Sequence, residues 1–323
     1  MADVRSIRHR KARTGNEGEP PPPSLWAFGG LPPLRLMKRV WKEYNEDDVG
    51  SHAAQLAYYF MLALFPAMLF LLTLIGLIAH GNPSFQQQLF AYLARLAPGS
   101  ASELVGKTIQ EVTQAAGGLK LTFGIVFTIW SAMGGIVAIM TSLNAAYDVN
   151  EGRPLWKRYG IALGLTIALS VLAIVALAVV LFGGRIADYL GSHLHLGSVA
   201  VTTWTVVQWP LAFALMAFAF ALIYYFAPDV KEQKWYWITP GSLLGVVIWL
   251  GASALFRLYL AYFNNYAETY GSIGAVIILM LWLYITGTSI MLGGEVNSEI
   301  EHAAAELGRA DAKAEGEKQA PAA

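Results

Sequence analysis

One uncharged stretch constrains this chain more than any other. Residues 51–80 read SHAAQLAYYFMLALFPAMLFLLTLIGLIAH, and from Leu56 to Ala79 there is no acidic or basic side chain. About 20 apolar residues in a helix cross the ~30 Å hydrocarbon core of a bilayer. A helix also satisfies its own backbone polar groups, which lipid cannot do. The stretch therefore predicts a membrane-crossing helix. Five more uncharged runs follow at 121–147, 159–184, 189–228, 235–256 and 269–294. The reading is an all-α membrane protein, a six-transmembrane-helix bundle with spans near 53–79, 121–144, 159–182, 204–227, 239–262 and 272–295.

An even number of crossings places both termini on one side. Lys and Arg then decide which side, because cytoplasmic loops are enriched in them. The N-terminal region, the loops at 148–158 and 229–234 and the C-terminal tail hold 17 of them; the opposite loops hold four, and Arg257 lies within a span. Both termini are expected in the cytoplasm, at an inner membrane. Residues 1–33 are basic and Pro-rich, with no apolar core for a signal peptide, and read as a disordered tail. Residues 34–50 follow as a basic amphipathic interfacial helix, with Leu34, Met37, Val40, Trp41 and Tyr44 on one face. The connection at 81–120 carries two apolar stripes and the pattern Ser100-Ala-Ser-Glu103, which suits a capped helical hairpin on the outer side. Residues 303–323 read as a second disordered tail.

Charged residues make up 14% of the chain, against about 25% in soluble domains. No segment is large enough for a separate soluble catalytic domain. Net charge is zero, so no global field attracts nucleic acid. Cysteine is absent, which excludes disulfides, thiolate nucleophiles and Cys-based metal sites. His193 and His195 have no third ligand nearby in sequence, so no metal or other cofactor is expected. No phosphate-binding G-x-x-x-x-G-K-[ST] loop is present, which argues against ATP-driven work by this chain alone. No Ser/His/Asp ordering suggests a hydrolase.

The candidate functional residues are the polar and helix-breaking positions within or beside the spans. Pro66 falls near the midplane, about 15 Å from Leu56 at helical rise. It is either a packing kink or a break facing protein or a wet cavity. Tyr58 sits where that helix enters the bilayer. Trp130 and the Gly134-Gly135 pair mark the centre of the second span, and Asn144 and Tyr147 its inner end. Gln208 precedes Pro210 in the fourth span. Arg257, near the outer boundary of the fifth, either snorkels to water, contacts an anion or pairs with Glu268. Glu295 lies about 33 Å along the sixth span from Ile273, after Gly293-Gly294, with Asn297 and Glu299 beyond it. It either marks a helix end that reaches water, or holds a proton, pairs with Arg153 or Arg158, or bonds free backbone amides.

Four segments carry a family resemblance: AAQLAYYFMLALFPAMLFLL, WSAMGGIVAIMTSLNAAYDV, RPLWKR and YGSIGAVIILMLWLYITGTSIMLGGEVNSEIE. Together they resemble the YihY / virulence-factor BrkB family of bacterial inner-membrane proteins, over roughly residues 34–302. Relatives in that family were formerly called ribonuclease BN. The resemblance implies six helices and a transporter linked to envelope lipid or to resistance to host serum. It singles out Tyr58, Pro66, Trp130, Asn144, Tyr147, Gly271, Glu295 and Asn297, none with a catalytic role. Three functions stand against one another. The first is a transporter of a lipid-like or anionic amphiphile, with membrane lipids as partners and Glu295 and Arg153 or Arg158 at a cavity mouth. The second is an envelope scaffold. The third is a ribonuclease, which needs clustered carboxylates that the sequence does not supply.

Overall fold

Pro32-Pro33 opens the first long helix of the chain, since proline at a helix start loses no intrahelical hydrogen bond. We describe a computed structural model covering residues 25–80, 118–193, 197–231, 238–262, 266–308, 312–313 and 317–318. Side chains of the second helix are described as far as Leu64. A short 3-10 segment, Leu25–Gly30, precedes α1 (Pro33–Glu46) and α2 (Val49–His80). Then come α3 (Gly118–Ala146), α4 (Leu155–His193), α5 (Gly197–Phe226), α6 (Pro240–Tyr262) and α7 (Tyr266–Glu306). Among the described residues the architecture is all-helical, with seven α-helices.

Five helices contain membrane-length apolar segments: Val126–Ala146, Leu155–Ala176, Thr202–Phe226, Pro240–Tyr262 and Val276–Glu306. Helix α2 is 32 residues long and runs through Pro66, whose side chain lies outside the described residues. The outer hairpin expected before residue 118, and the tail expected over residues 1–24, also lie outside them.

Each long helix packs on the next in sequence, from α2 to α7, and α7 closes back onto α2 and touches α3. The helices thus form a ring of neighbours with α7 as its hub. Without a hydrophobic drive between helices in lipid, close packing of small residues holds such contacts. Gly241 of α6 and Gly293 of α7 meet in this way. A methyl group on Gly293 would overlap the Tyr224 hydroxyl and come within 2.7 Å of the Gly241 carbonyl oxygen. The buried cluster gathers at one end of the ring, around Leu56, Met140, Leu143, Tyr224, Val246 and Met291. Elsewhere the apolar residues Val171, Ile174, Trp209, Leu255 and Leu258 face outward, as a lipid-facing surface requires.

Helix α1 lies across that same end and packs on α7 through Leu36, against Val296 and Ile300, with Val40 beside them. Its Leu34, Met37 and Trp41 point away and are exposed. Helix α7 runs on to Glu306, with Ala303 and Ala304 buried, so the tail expected from residue 303 begins later. The reason is local. Arg39 of α1 donates two hydrogen bonds to Glu306, at 3.1 and 2.8 Å, and lies 3.6 Å from Glu299. The α7 terminus is therefore covered by α1, and Glu295 does not mark a helix end reaching water.

Candidate functional site

Two polar clusters form at the covered end of the ring, and they divide the residues that the sequence groups together. The first ties α3, the loop after it and the end of α5. Asn144 donates to Glu151 at 3.1 Å, and its side-chain oxygen accepts the Asp229 amide at 2.8 Å. Arg153 grips Glu151 with Nε at 2.6 Å and Nη2 at 2.8 Å. Its guanidinium also donates to the Phe226 and Ala227 carbonyls at 3.2 and 2.7 Å. Those carbonyls are the free acceptors that every helix C-terminus leaves, and a cation there also meets the negative end of the helix dipole. Burial works against the charge on Glu151, but the hydrogen bonds and charge of Arg153 outweigh it and hold the carboxyl below its ordinary range. Arg158 joins the cluster, donating to Thr141 at 2.6 Å with Nε 3.6 Å from Glu151. Arg153 and Arg158 are thus engaged by Glu151, and the expected pairing of either with Glu295 is replaced by this latch. A bidentate guanidinium–carboxylate grip in a nearly dry setting outcompetes a more distant acid.

The second cluster surrounds Glu295. That residue is 1% exposed, and its Oε1 atom has no hydrogen-bond partner among the described residues. Its carboxyl interacts with that of Asp47, the residue capping α1. Ionised carboxylates only accept, so a hydrogen bond between two such carboxyls requires one proton. Burial, and then the charge of Asp148, push the Asp47 carboxyl up to about 6. The next residue, Asp48, and Asp148 itself adopt left-handed backbone conformations, φ 48° and 54°, at the ends of α1 and α3. Aspartate tolerates this better than most residues, and the two turns bring α1 and α3 to an abrupt stop beside α7.

Tyr147 is buried too; burial, with Glu301 and Glu295 nearby, pushes its phenol well above the usual range. Asn297 itself is a strut. It donates to the Thr239 hydroxyl at 3.0 Å and accepts the Gly241 amide at 2.9 Å, pinning the start of α6 to α7. Thr239 and Ser242 close that helix start by reciprocal bonds. Glu299 pairs with His302 at 3.2 Å and with Arg39.

Lys318, from the C-terminal region, completes the cluster. It is fully buried, donates to the Ser298 hydroxyl at 2.6 Å and sits 5.3 Å from the centre of the Tyr147 ring. Burial pushes its ammonium down to about 8, against the pull of Glu301, Asp148, Glu299 and Glu295. The main chain is anchored too, since the Lys231 amide donates to the Lys318 carbonyl at 2.9 Å.

The other sequence-nominated residues lie apart from both clusters. Tyr58 and Trp130 are 56% and 66% exposed on the outer surface of α2 and α3. Gly134 has nothing within 4 Å of where a side chain would begin. Gln208 bonds the Thr205 carbonyl of its own helix at 3.4 Å, and Arg257 is exposed. The side chains of Gly271's neighbours and of Glu268 lie outside the described residues.

Sequence reasoning missed Asp47, Glu151, Asp229, Ser298 and Lys318 as site residues. Two signals were present. Glu295, Ser298, Glu299 and His302 recur at the i, i+3, i+4 spacing of one helix face. Glu151 and Arg153 flank Gly152 just before Pro154, in the short connection between α3 and α4. Lys318 carried no such signal. Among the described residues, no group of three or more His, Asp and Glu is placed to hold a metal ion.

Sequence comparison agrees with this architecture. The model of the virulence factor BrkB family matches residues 40–318. A protein of Bacillus subtilis (strain 168) named as ribonuclease-like, YfkH, is 35% identical over 266 residues, covering 82% of this chain and 94% of the relative. A UPF0761 membrane protein of Ralstonia nicotianae is 27% identical over 275 residues; this chain covers 59% of that relative's length. A UPF0761 membrane protein of Coxiella burnetii (strain Dugway 5J108-111) is 26% identical over 283 residues, covering 91% of it. No solved structure matches. With its multiple membrane-length helices and a family match extending from α1 to Lys318, the chain belongs to the virulence factor BrkB family of membrane proteins.

Proposed function

We propose that this protein is a translocator of a lipid-like amphiphile that hydrolyses no ATP itself and handles protons through the Asp47–Glu295 pair. One observation carries the reading: a carboxyl pair with a buried, unpartnered oxygen at the end of a membrane-length helix. Ionisable groups in such places are costly and mark ion or proton pathways. The ring of helices supports it, because a ring can part along one seam while the Gly241–Gly293 crossing and the Arg153 latch keep their shape. In this reading α2 is the sixth crossing, and α1 lies at the cytoplasmic headgroups through Leu34, Met37 and Trp41. Both termini are then cytoplasmic, in a bacterial inner membrane, as the distribution of basic residues favours.

Arg153 and Arg158, the basic residues that favoured an anionic head, are committed to Glu151. The acidic surroundings of Glu295 favour a head group bearing positive charge. The test is flux in liposomes holding the purified protein, with fluorescent phospholipids of anionic, zwitterionic and cationic head groups and an imposed pH gradient. Gradient-dependent movement, lost in Glu295→Gln, supports the reading. Absence of movement for every head group contradicts it and favours a scaffold role.

A further inference from the structure

We propose that the side-chain cluster of Tyr147, Asp148, Glu295, Ser298 and Glu299 is a binding site for a primary ammonium group, and that Lys318 is its tethered occupant. The inference concerns binding alone and holds whether or not the protein moves anything across a membrane.

The cluster has the parts that recognise an ammonium ion. The Ser298 hydroxyl accepts its hydrogen bond at 2.6 Å. The Tyr147 ring offers its negative face at 5.3 Å. Glu301, Asp148, Glu299 and Glu295 supply opposite charge from two helix ends. The Glu295 Oε1 atom is buried, and no hydrogen bond answers it. Among the described residues, the cation facing the site from another helix is Arg39 of α1, held by Glu299 and Glu306, and the His302 ring lies 3.2 Å from Glu299. Among the described residues carboxyls outnumber cations, so without the Lys318 ammonium the site keeps buried negative charge that Arg39 alone does not balance. That state is costly enough that another cation replaces the lysine whenever it leaves.

The parts also select among cations. A ring face suits an organic cation better than a hydrated metal ion. The hydroxyl acceptor requires an N–H, which a quaternary ammonium lacks. The class is thus a primary ammonium, either a free polyamine or the head group of an aminophospholipid. Lys318 blocks both in the resting chain, because a tethered occupant competes at a high effective concentration.

The test uses the full chain in nanodiscs of phosphatidylcholine. Labelled spermidine is bound to the wild type and to Lys318→Met. The variant is expected to bind about tenfold more tightly or better, since the competitor is gone. Ser298→Ala added to it is expected to abolish the gain, and choline is expected to show no gain at all. Repeating the titration in nanodiscs containing phosphatidylethanolamine separates the sources: weakened spermidine binding identifies the lipid head group as the stronger occupant, and unchanged binding identifies the free amine. Equal spermidine binding by wild type and a folded Lys318→Met overturns the proposal. If that variant does not fold, the wild type decides. Spermidine is expected to speed acetylation of Lys318 but not of Lys313, read by peptide mass spectrometry; no acceleration overturns the proposal. Flux without ammonium binding defeats this inference and leaves the translocator reading, while binding without flux does the reverse.

Discussion

The Tyr224 hydroxyl donates to the Ile290 carbonyl at 2.9 Å and stands where any side chain on Gly293 would have to go. One bond thus closes α5 onto α7 and limits residue 293 to glycine. Gly293→Ala is expected to destabilise the protein by about 1–3 kcal/mol, the usual cost of overpacking. Tyr224→Phe loses a hydrogen bond worth about 1 kcal/mol but removes the obstructing oxygen. The double variant is therefore expected to be more stable than the sum of the two changes implies. Unfolding of purified protein in detergent measures all three.

Arg153 is predicted to be structural. Its guanidinium is nearly buried and satisfies one carboxylate and two helix-terminal carbonyls at once. Arg153→Ala leaves Glu151 without its main partner and is expected to cost about 3–5 kcal/mol. Glu151→Gln added to it is expected to recover part of that loss. A transport defect in Arg153→Ala with undiminished stability would contradict this assignment.

Stability is expected to depend on pH through three groups of opposite sign. Asp47 binds its proton more tightly in the folded state, between its ordinary value of 3.8 and about 6, so its contribution falls as pH rises through that window. Glu151 works the other way: its contribution is present above the ordinary carboxylate value and is lost as pH falls through the lower folded value. Lys318 gives up its proton more readily when folded, so stability rises with pH from about 8 to 10.5. Asp47→Asn and Lys318→Met are each expected to remove one slope, of less than about one proton, from unfolding curves measured across pH.

Helix α1 offers a direct check on membrane placement. The chain has no cysteine, so a single introduced cysteine is a unique label site. Spin labels at positions 37 and 41 are expected to meet lipid-soluble oxygen, and labels at 35 and 38 a water-soluble relaxant. All four labels in water would contradict the interfacial reading and leave α1 as a plain cap on α7.

The sequence made the helices legible because their signal is strong and local. Long uncharged runs mark the apolar middles of α3 to α7, although α4 and α7 extend beyond them to His193 and Glu306, and the Asn45–Asp48 acidic break falls at the end of α1. Contacts between distant segments were less legible. Glu295 was recognisable from its depth after two glycines, but its partner Asp47 lies far away in sequence. Arg153 drew attention as a free cation, although its partner Glu151 was two residues away, because composition does not reveal which charges are consumed locally. Lys318 looked like part of a polar tail, and such segments show their contacts only once folded. Trp130 and Tyr58 were read as site candidates, but in lipid an exposed aromatic is an ordinary surface residue.

The most direct measurement concerns a proton between Asp47 and Glu295. Infrared spectra of the protein in lipid at neutral pH are expected to show a protonated carboxylic acid band that disappears in Glu295→Gln and shifts in frequency in Asp47→Asn, because burial keeps the remaining Glu295 acid neutral while its partner changes. If Glu295→Gln leaves every such band in place, or Asp47→Asn leaves the band unshifted, the two carboxyls do not share a proton and the proton-handling account fails.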